Sequence, residues 1–494
     1  MTVFEFQIQE DMIMGTPSVF PMGTTIYNPE KAWSGYTIMP VVGVGTVLID
    51  MNGNVVKTWR NLQGFPNKLL PGGQVFGSLG MRGSEYAYQD MTDLVQVDWD
   101  GNVVWKWNKK ELVNDGGKEM WVARQHHDYQ REGNPVGYYV PGMKCKTTEG
   151  NTLLLCHSDL YNKRISDKRL LDDTIIEVDW DGNIVWEWTV SKHFGELGFS
   201  EAAKNVLFRN PNNHPNGGGQ ADWMHINSMS TLGPNKWYDA GDERFHPDNI
   251  IWDAREANIL AIISKETGKI VWKIGPDFTV SRELRAMGQI IGQHHCHMIP
   301  QGLPGEGNIL VFDNGGWAGY GLPDRMSKDG TKTDKRDYSR ILEIDPVTLR
   351  VVWEYTGAAM GGPGMSPMVA NTKFYSQLVS SAQRLPNGNT LITEGCCCRI
   401  FEVTADKEVV WEYYAPFDFN NPFIYRAYRY PYNYVPQLDV PEEIPVEPIN
   451  NKTFRVPGAA EGMIANETLV GEAFGYEGSF ENCVTEDADS NSPF

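Results

Sequence analysis

The chain of 494 residues lacks an uninterrupted apolar run of about 18 residues, the length that a membrane-spanning helix requires. Its N-terminus also lacks the basic stretch and the long apolar stretch that together mark a secretory signal. These absences argue against a protein that is inserted in a membrane by helices. They predict a cytoplasmic location.

Basic residues are fewer than acidic ones. The sequence contains 43 Lys and Arg against 63 Asp and Glu, which gives a formal net charge of −20. Because proteins that bind nucleic acids present basic surfaces, this balance argues against a nucleic-acid partner. A local site for a small anion is still compatible with it, since such a site needs only a few cationic side chains.

Cysteine is scarce and unevenly placed. The sequence has seven cysteines, an odd number, and three of them are adjacent at Cys396, Cys397 and Cys398. This pattern is not that of a disulfide framework, and it fits a reducing compartment. Neighbouring residues of a strand point to opposite faces, so we interpret the triplet as buried thiols that pack like small apolar side chains.

One sequence motif, in contrast, recurs six times. An alternating apolar run meets a turn rich in Gly, Asn or Asp, and a second β-branched run follows that carries a Trp near its end. The alternation predicts strands, and the turn residues predict two-residue hairpin turns. The copies are Val47–Trp59, Leu94–Trp107, Ile175–Trp188, Ala261–Ile274, Ile341–Tyr355 and Phe401–Tyr413.

The spacing of these copies favours one fold. It is uneven, which a stacked solenoid tolerates poorly and a β-propeller tolerates well, because a propeller places its insertions in loops. A second signature, an apolar strand that in most cases follows a Gly or Asn turn, stands upstream of five copies, as expected for inner strands. The sequence therefore predicts an all-β, six-bladed β-propeller rather than a β-sandwich, which needs fewer copies. The upstream segments are Leu70–Leu79, Glu149–Cys156, Pro247–Arg255, Glu306–Gly315 and Leu385–Gly395.

The domain organisation follows from the repeats. Residues 1–45 are predicted to lead into the ring, and residues 46–415 to form the propeller. Residues 416–494 are predicted to be an aromatic-rich extension that packs on the ring or completes its first blade, followed by an acidic tail. The Trp that recurs in the hairpins is interpreted as packing between blades.

The histidines are the candidate catalytic residues. The chain has ten His, and six of them fall in three short clusters, Arg124–Gln130, Asp222–Ser228 and Gly292–Pro300. Each cluster is predicted to lie just before an inner apolar strand of a different blade. The loops that enter the inner strands of a propeller meet at one mouth, so the three clusters are predicted to converge on one axial pocket.

Several of these segments together resemble the bacterial arylsulfotransferases, over roughly residues 25–440. The opening Pro29–Trp59 does so too. The combination of a His-x-Asn-Ser motif, a following Arg, and Gln-His before a Gly-Asn strand is fairly specific. The segments are His126–Asp128, His225–Ser228, Trp252–Arg255, Gln293–Pro300, Gly307–Gly315 and Ala382–Gly395.

The resemblance implies a sulfuryl transfer from an aryl sulfate ester to a phenol, with no cofactor and with a sulfohistidine intermediate. By motif position it implies that His294 is the nucleophile and His225 the general acid and base. Arg255 and His127 would then stabilise the charged sulfuryl oxygens. The substrate-binding residues would be Asn227, His126 and His295, and the partner would be a small aromatic molecule.

Two readings from other classes stay open. The clusters hold more imidazoles than sulfuryl transfer requires, so His127, His225, His295 and His297 could instead bind Cu, Zn or Fe. The enzyme would then be a metal-dependent lyase, hydratase or oxidoreductase. The third reading is a propeller that serves as a binding scaffold, because the fold alone does not determine the function.

Overall fold

The computed structural model describes residues 22–82, 89–213, 220–360, 371, 373–417 and 423–448. These residues form six antiparallel sheets of at least four strands and two smaller hairpins. The prediction of an all-β, six-bladed propeller is confirmed. The chain divides into two compact units, Met1–Ile444 and Pro445–Phe494, and the propeller lies in the first.

The strands are numbered in chain order. The first half of the chain contains β1 (Gly23–Tyr27), β2 (Tyr36–Val41), β3 (Gly45–Ile49), β4 (Val55–Trp59), β5 (Lys68–Leu70), β6 (Gln74–Ser78), β7 (Leu94–Val97), β8 (Val103–Trp107), β9 (Glu111–Asp115), β10 (Lys118–Val122), β11 (Gln125–Arg131), β12 (Thr152–Tyr161), β13 (Arg169–Val178), β14 (Ile184–Thr189) and β15 (Ile226–Thr231). The second half contains β16 (Ile250–Ala254), β17 (Ile259–Ile263), β18 (Ile270–Ile274), β19 (His294–Met298), β20 (Ile309–Asp313), β21 (Ala318–Tyr320), β22 (Thr331–Asp334), β23 (Arg340–Ile344), β24 (Val351–Thr356), β25 (Ser381–Arg384), β26 (Thr390–Glu394), β27 (Arg399–Val403), β28 (Val409–Tyr414) and β29 (Tyr428–Tyr430).

Six sheets are the blades, numbered along the chain, and each is given from its innermost strand outward. Blade 1 is β29-β2-β3-β4, blade 2 is β5-β6-β7-β8, and blade 3 is β11-β12-β13-β14. Blade 4 is β15-β16-β17-β18, blade 5 is β19-β20-β23-β24, and blade 6 is β25-β26-β27-β28 with β1 added outside. The six repeated hairpins are the third and fourth strands of the six blades, counted outward from the innermost strand.

Helices are short and lie between strands. Among the described residues, none is long and apolar enough to cross a membrane. The α-helices are α1 (Glu201–Arg209), α2 (Lys236–Asp239) and α3 (Arg282–Met287), and the 3-10 helices are Val190–Glu196, Glu243–Phe245, Gly357–Met360, Gly395–Cys397 and Tyr432–Tyr434.

The hairpin turns are one or two residues longer than the two-residue turns that the sequence predicted. In blade 2 the N–H of Asp98 donates to the carbonyl of Asn102 at 2.9 Å, so residues 99–101 form the loop. Gly101 adopts a φ of +89°, which is the left-handed position that such a three-residue loop requires. The Asp98 carboxylate also accepts from the backbone and side-chain amides of Asn102 at 2.8 and 2.9 Å, which explains the repeated Asp and Asn.

Tryptophan side chains join the blades into a ring, as predicted. In every blade, a Trp of the second hairpin strand donates its indole N–H to a carbonyl in the outer hairpin of the next blade. The series closes because the last blade donates to the first, so the same contact recurs six times around the ring. The pairs are Trp59 to Trp99, Trp105 to Trp180, Trp186 to Lys265, Trp272 to Pro346, Trp353 to Ala405, and Trp411 to Met51.

Both ends of the chain take part in closing the ring. Strand β1 pairs with β28 of blade 6, and Gly23 lies opposite Tyr414. Strand β29 pairs with β2 and becomes the innermost strand of blade 1, with Tyr430 opposite Tyr36. The ring therefore extends beyond residues 46–415 at both ends, because two blades use strands from outside that range. The predicted acidic tail, Glu486–Phe494, lies outside the described residues.

The cysteine triplet is not part of a strand. Cys396 and Cys397 lie in the 3-10 helix Gly395–Cys397, and Cys398 follows in the left-handed conformation with a φ of +50°. Cys396 and Cys398 are buried. The triplet packs in the tight connection between β26 and β27, so the strand alternation that we assumed does not apply to it.

Candidate active site

The three histidine clusters lie at the start of β11, β15 and β19, which are the innermost strands of blades 3, 4 and 5. His126 and His127 are within β11, and His225 directly precedes β15. The backbone is left-handed at one histidine of each cluster, with φ of +53° at His127, +51° at His225 and +55° at His295. The pairing with the next strand shifts its register at the same places. Each inner strand therefore starts with a bulge, and a bulge redirects the adjacent side chains.

Four predicted residues come together at these bulges, and we call them the His–Arg cluster: His127, His225, His294 and Arg255. The rings of His127 and His225 have centroids 4.5 Å apart. The backbone N–H of Arg255 donates to the carbonyl of His225 at 3.1 Å. The positive charges of Arg255 and His225 both lower the pKa of His294. All four residues are buried.

The protonation form of His294 is determined by Asn314. The side-chain amide of Asn314 donates to the carbonyls of Ser376 and Val379 at 2.7 and 2.9 Å, so its Oδ1 atom faces His294. The Nδ1 atom of His294 lies 2.8 Å from this oxygen and must carry the proton. The Nε2 atom then holds the lone pair, and no described residue hydrogen-bonds to it. Burial, followed by the charge of Arg255, lowers the pKa of His294 well below its ordinary value, so the ring is neutral at neutral pH.

His225 has the opposite electrostatics. Its Nδ1 atom hydrogen-bonds to a carboxylate oxygen of Asp222, and its backbone N–H donates to the other oxygen at 3.1 Å. Burial opposes a charge on His225, but the charge and the hydrogen bond of Asp222 outweigh burial and raise the pKa of the imidazole. His225 can therefore hold a proton at a pH at which His294 cannot.

Arg255 belongs to a small group of charges with a positive balance. Its Nη1 atom donates to the carboxylate of Glu256, whose Oε1 atom also lies 3.7 Å from the Nζ atom of Lys332. Two cations thus share one carboxylate. The Nε atom of Arg255 is buried and has no hydrogen-bond partner among the described residues. An unused donor beside a surplus positive charge suits an anionic ligand.

Asn227 does not present its amide to the cluster as a free donor. The amide donates at 2.8 Å to the carbonyl of Gln293, the residue before His294. The backbone carbonyl of Asn227 accepts from the guanidinium of Arg426, a residue of the C-terminal extension that also pairs with Asp128 at 2.8 Å. Asn227 therefore holds the strand that carries His294, which is a different role from the substrate contact that the motif implied.

His126 lies behind His127 rather than beside it in the cluster. The Nδ1 atoms of the two rings are 2.8 Å apart. The Nε2 atom of His126 points to Asp173, and its ring stacks on that of His157 at a centroid distance of 3.5 Å. His126 is fully buried, so the expectation that it contacts substrate does not fit its place.

His295 and His297 form a second group on the other side of β19. The Nε2 atom of His297 lies 2.9 Å from the hydroxyl of Tyr138, and that of His295 lies 3.2 Å from the hydroxyl of Tyr428. A cavity of about 10 Å³, room for about one water molecule, separates them from Lys68. His295 was expected in the substrate site, but the bulge at its own backbone turns it away from His294.

The predicted metal set is not assembled. Among the described residues, one group of three or more ligand-type side chains has its ligand atoms within 4.8 Å of one another, and it consists of His126, His157 and Asp173. The expected ligands are divided instead: His127 and His225 contact each other, and His295 pairs with His297 at a centroid distance of 4.5 Å.

An aromatic surface lies next to His127. The ring of Phe65 is 6.1 Å from that of His127 and packs on Tyr425 at 4.5 Å and on Phe423 at 6.4 Å. Phe423 is partly exposed. These residues come from the connection between β4 and β5 and from the C-terminal extension, far apart in the sequence, and no motif marked them.

Sequence reasoning also missed Asp222, Asn314 and Arg426. Asp222 stands three residues before His225, and a carboxylate close to a histidine could have been noted as its partner. Asn314 lies inside the Gly307–Gly315 segment that carried the resemblance. Arg426 has no such signal, because its contacts depend on how the C-terminal extension enters the ring.

The fold and the site together define a β-propeller with a buried cluster of imidazoles and one guanidinium near its axis. Residues 144–414 match the pattern of the arylsulfotransferase (ASST) family. Because the match spans more than half of the chain, the chain belongs to this family, whose members are transferases. The family suggests aryl sulfate sulfotransferase activity.

No curated protein matches the chain. Similar solved structures include a protein of unknown function from Bacteroides caccae, with 11% identity over 80% of this chain and 99% of that one and a TM-score of 0.39. Virginiamycin B lyase from Staphylococcus aureus has 10% identity over 80% of this chain and 88% of that one, with a TM-score of 0.33.

Proposed function

We propose that the protein transfers a sulfuryl group from an aryl sulfate ester to a phenol through a sulfohistidine at His294. The observation that carries this proposal is the orientation of the His294 ring. Asn314 holds the proton on Nδ1, and burial with Arg255 lowers the pKa of the ring. A neutral imidazole with its lone pair at Nε2 is a nucleophile that is ready at neutral pH.

In the first half-reaction, the Nε2 atom of His294 attacks the sulfur of the aryl sulfate. A nitrogen–sulfur bond forms, the bond from sulfur to the aryl oxygen breaks, and its electron pair leaves on that oxygen. His225, whose pKa Asp222 raises, donates a proton to the leaving phenolate. The phenol then departs and leaves a sulfuryl group on His294.

In the second half-reaction, neutral His225 removes the proton of an acceptor phenol. The phenolate oxygen attacks the sulfur, the nitrogen–sulfur bond breaks, and the electron pair returns to Nε2 of His294. Dividing one displacement between two oxygen atoms into two steps at a nitrogen is the gain from covalent catalysis. The scheme uses no cofactor.

The negative charge of the sulfuryl oxygens requires donors near His294. Arg255 offers a buried Nε–H without a partner, and the shared carboxylate of Glu256 leaves a positive balance there. His127 is the second donor in the proposal, since its ring contacts that of His225. Donors that are fixed before the reaction stabilise a transition state without reorganising during it.

The aryl groups of donor and acceptor are small and apolar, and the aromatic surface beside His127 suits them. Phe65 and Phe423 are the residues of that surface that we assign to ring packing. Aromatic pairs prefer edge-to-face or offset contacts at centroid distances of about 4.5 to 7 Å, which this surface can offer to a bound ring. A small aromatic substrate, rather than a nucleic acid, fits the net charge of −20.

The test is a rate measurement with a chromogenic aryl sulfate and a second phenol. The proposal predicts ping-pong kinetics and sulfated acceptor as the product, and no turnover in His294→Ala. Arg255→Lys should lower kcat/KM by about 10²- to 10³-fold, because a lysine cannot place a donor where Nε stands.

Arg244→Lys is the matched control, since Arg244 lies on the surface and pairs with Asp242 at 2.6 Å. This variant should keep the rate of the unaltered protein. Full activity in His294→Ala, or an equal loss in the two arginine variants, would contradict the proposal.

A further inference from the structure

Three ligand atoms face one another behind the His–Arg cluster. The Nε2 atoms of His126 and His157 lie 3.2 and 3.9 Å from the Oδ1 atom of Asp173. All three residues are fully buried. None of these three atoms has a hydrogen-bond partner within the described part of the chain. Buried polar atoms are rarely left unpaired, so three of them close together require an explanation.

The surroundings determine which atoms carry lone pairs. The Nδ1 atom of His157 lies 2.6 Å from Oδ1 of Asp90, whose other oxygen accepts from Arg124 at 2.7 Å. Because the carboxylate is held by a guanidinium, His157 carries its proton on Nδ1 and a lone pair on Nε2. The Oδ2 atom of Asp173 accepts the backbone N–H of Ile226 at 3.2 Å, which leaves Oδ1 directed at the two imidazoles.

We propose that His126, His157 and Asp173 bind a divalent transition-metal ion, for which Zn²⁺ is the best fit. Zinc binds imidazole nitrogen and carboxylate oxygen at about 2.0 to 2.2 Å, and the ligands of a tetrahedral site then stand about 3.3 Å apart. The separations of 3.2 and 3.9 Å are close to this value, but the rings of His126 and His157, stacked at a centroid distance of 3.5 Å, must tilt apart before both lone pairs meet at the ion. Two nitrogen ligands argue against Mg²⁺ and Ca²⁺, which prefer oxygen.

The second contacts of the ligands match those of known metal sites. A histidine that binds a metal commonly donates its other ring N–H to a carboxylate, and the pair of His157 with Asp90 has this arrangement. In the metal-bound state, the second N–H of His126 points to Nδ1 of His127, at 2.8 Å. The site thus differs from the metal set expected from the sequence, and it lies beside the His–Arg cluster rather than within it.

The ion would orient His127, and this consequence rests on the proposed function. Binding of the ion at Nε2 of His126 leaves the proton on Nδ1, which then donates to Nδ1 of His127. His127 must in turn carry its own proton on Nε2. An N–H group would therefore face the substrate rather than a lone pair, as a donor to a sulfuryl oxygen requires. His126, His157 and Asp173 are positioning residues in this account.

The test measures metal binding directly, with no activity assay. The full chain, without an affinity tag, is freed of metal by a chelator and then titrated with Zn²⁺. The bound metal is determined by elemental mass spectrometry. Titration with Co²⁺ follows the ligands by visible absorption. We expect one ion per chain and, in His157→Ala, loss of both the ion and the Co²⁺ absorption. His193→Ala is the control, because His193 is partly exposed in the 3-10 helix after β14, where it stacks on Trp188 at 4.9 Å.

A second variant distinguishes a loss of metal binding from a failure to fold. Asp90→Asn keeps all three ligands and should weaken Zn²⁺ binding by about 10- to 100-fold. If the metal-free protein takes up no Zn²⁺, the three atoms share a proton instead and the proposal is overturned. Equal binding by His157→Ala and by the unaltered protein overturns it as well. Metal binding without sulfuryl transfer would leave the site standing and reject the function, and transfer by a protein that binds no metal would do the reverse.

Discussion

The Nδ1 atom of His294 and the Oδ1 atom of Asn314 are joined at 2.8 Å, across the pairing of β19 with β20. Asn314 follows β20 directly, and both hydrogen atoms of its amide are used by main-chain carbonyls. The amide cannot rotate without losing these two bonds. The direction of the His294 lone pair is thus set by a residue that has no chemical role of its own.

Asn314→Ala should therefore act on the chemical step. Without the acceptor, the ring can rotate or move its proton to Nε2, and misplacement of a reacting atom by about 1 Å costs about 10²-fold in rate. We expect kcat to fall by about this factor with little change in KM, measured from initial rates. Asn389→Ala is the control, since Asn389 is buried in the β25–β26 hairpin, where its amide donates to Glu402. A change in KM alone would contradict the assignment.

Asp222→Asn should change the pH dependence of the reaction. Asp222 raises the pKa of His225 against the effect of burial, so its removal lets burial lower this pKa below the ordinary value. The first half-reaction needs a protonated His225 and should lose activity at a lower pH than in the unaltered protein. The measurement is the rate of phenol release against pH. An alkaline limb that stays in place would show that His225 is not the acid.

His297 makes a contribution to stability that depends on pH. Burial lowers the pKa of His297 to about 4, whereas in the unfolded chain it is near the ordinary 6.5. Below about pH 6.5 the unfolded state binds the proton first, so the contribution is present above this pH and is lost as the pH falls towards 4. A shift of this size corresponds to about 3 kcal/mol.

The matching experiment compares His297→Gln with the unaltered protein by chemical unfolding at several pH values. The variant should lose less stability on acidification, by up to about 3 kcal/mol at the acid end. His246→Gln on the partly exposed loop before β16 is the control and should follow the unaltered protein. Parallel curves for all three proteins would contradict the burial of a neutral His297.

The outer parts of the blades could be predicted from the sequence because they depend on local patterns. The Asp98 and Asn102 pair with its Gly, and the alternation on each side, are sufficient to define a hairpin. The Trp contacts between blades follow, since Trp recurs at one position in five of the six copies. Closure of the ring depends instead on pairing between residues far apart, such as Tyr36 with Tyr430, and no local pattern indicates it.

The candidate site was predictable as a set of residues but not as an arrangement. The motifs brought out His127, His225, His294 and Arg255, which the structure places together. They could not separate His294 from His295, because the division arises from a φ of +55° at His295 in a bulge whose position the alternation of the strand does not reveal. The cytoplasmic location remains a prediction.

The central claim is that His294 carries the sulfuryl group between donor and acceptor. The most direct measurement is the intact mass of the protein after incubation with an aryl sulfate in the absence of acceptor, followed by mapping of the modified peptide. The account predicts one added sulfuryl group on His294, lost when a phenol is added and absent from His294→Ala. A modified His294→Ala variant, or turnover by a protein that never carries the group, would contradict it.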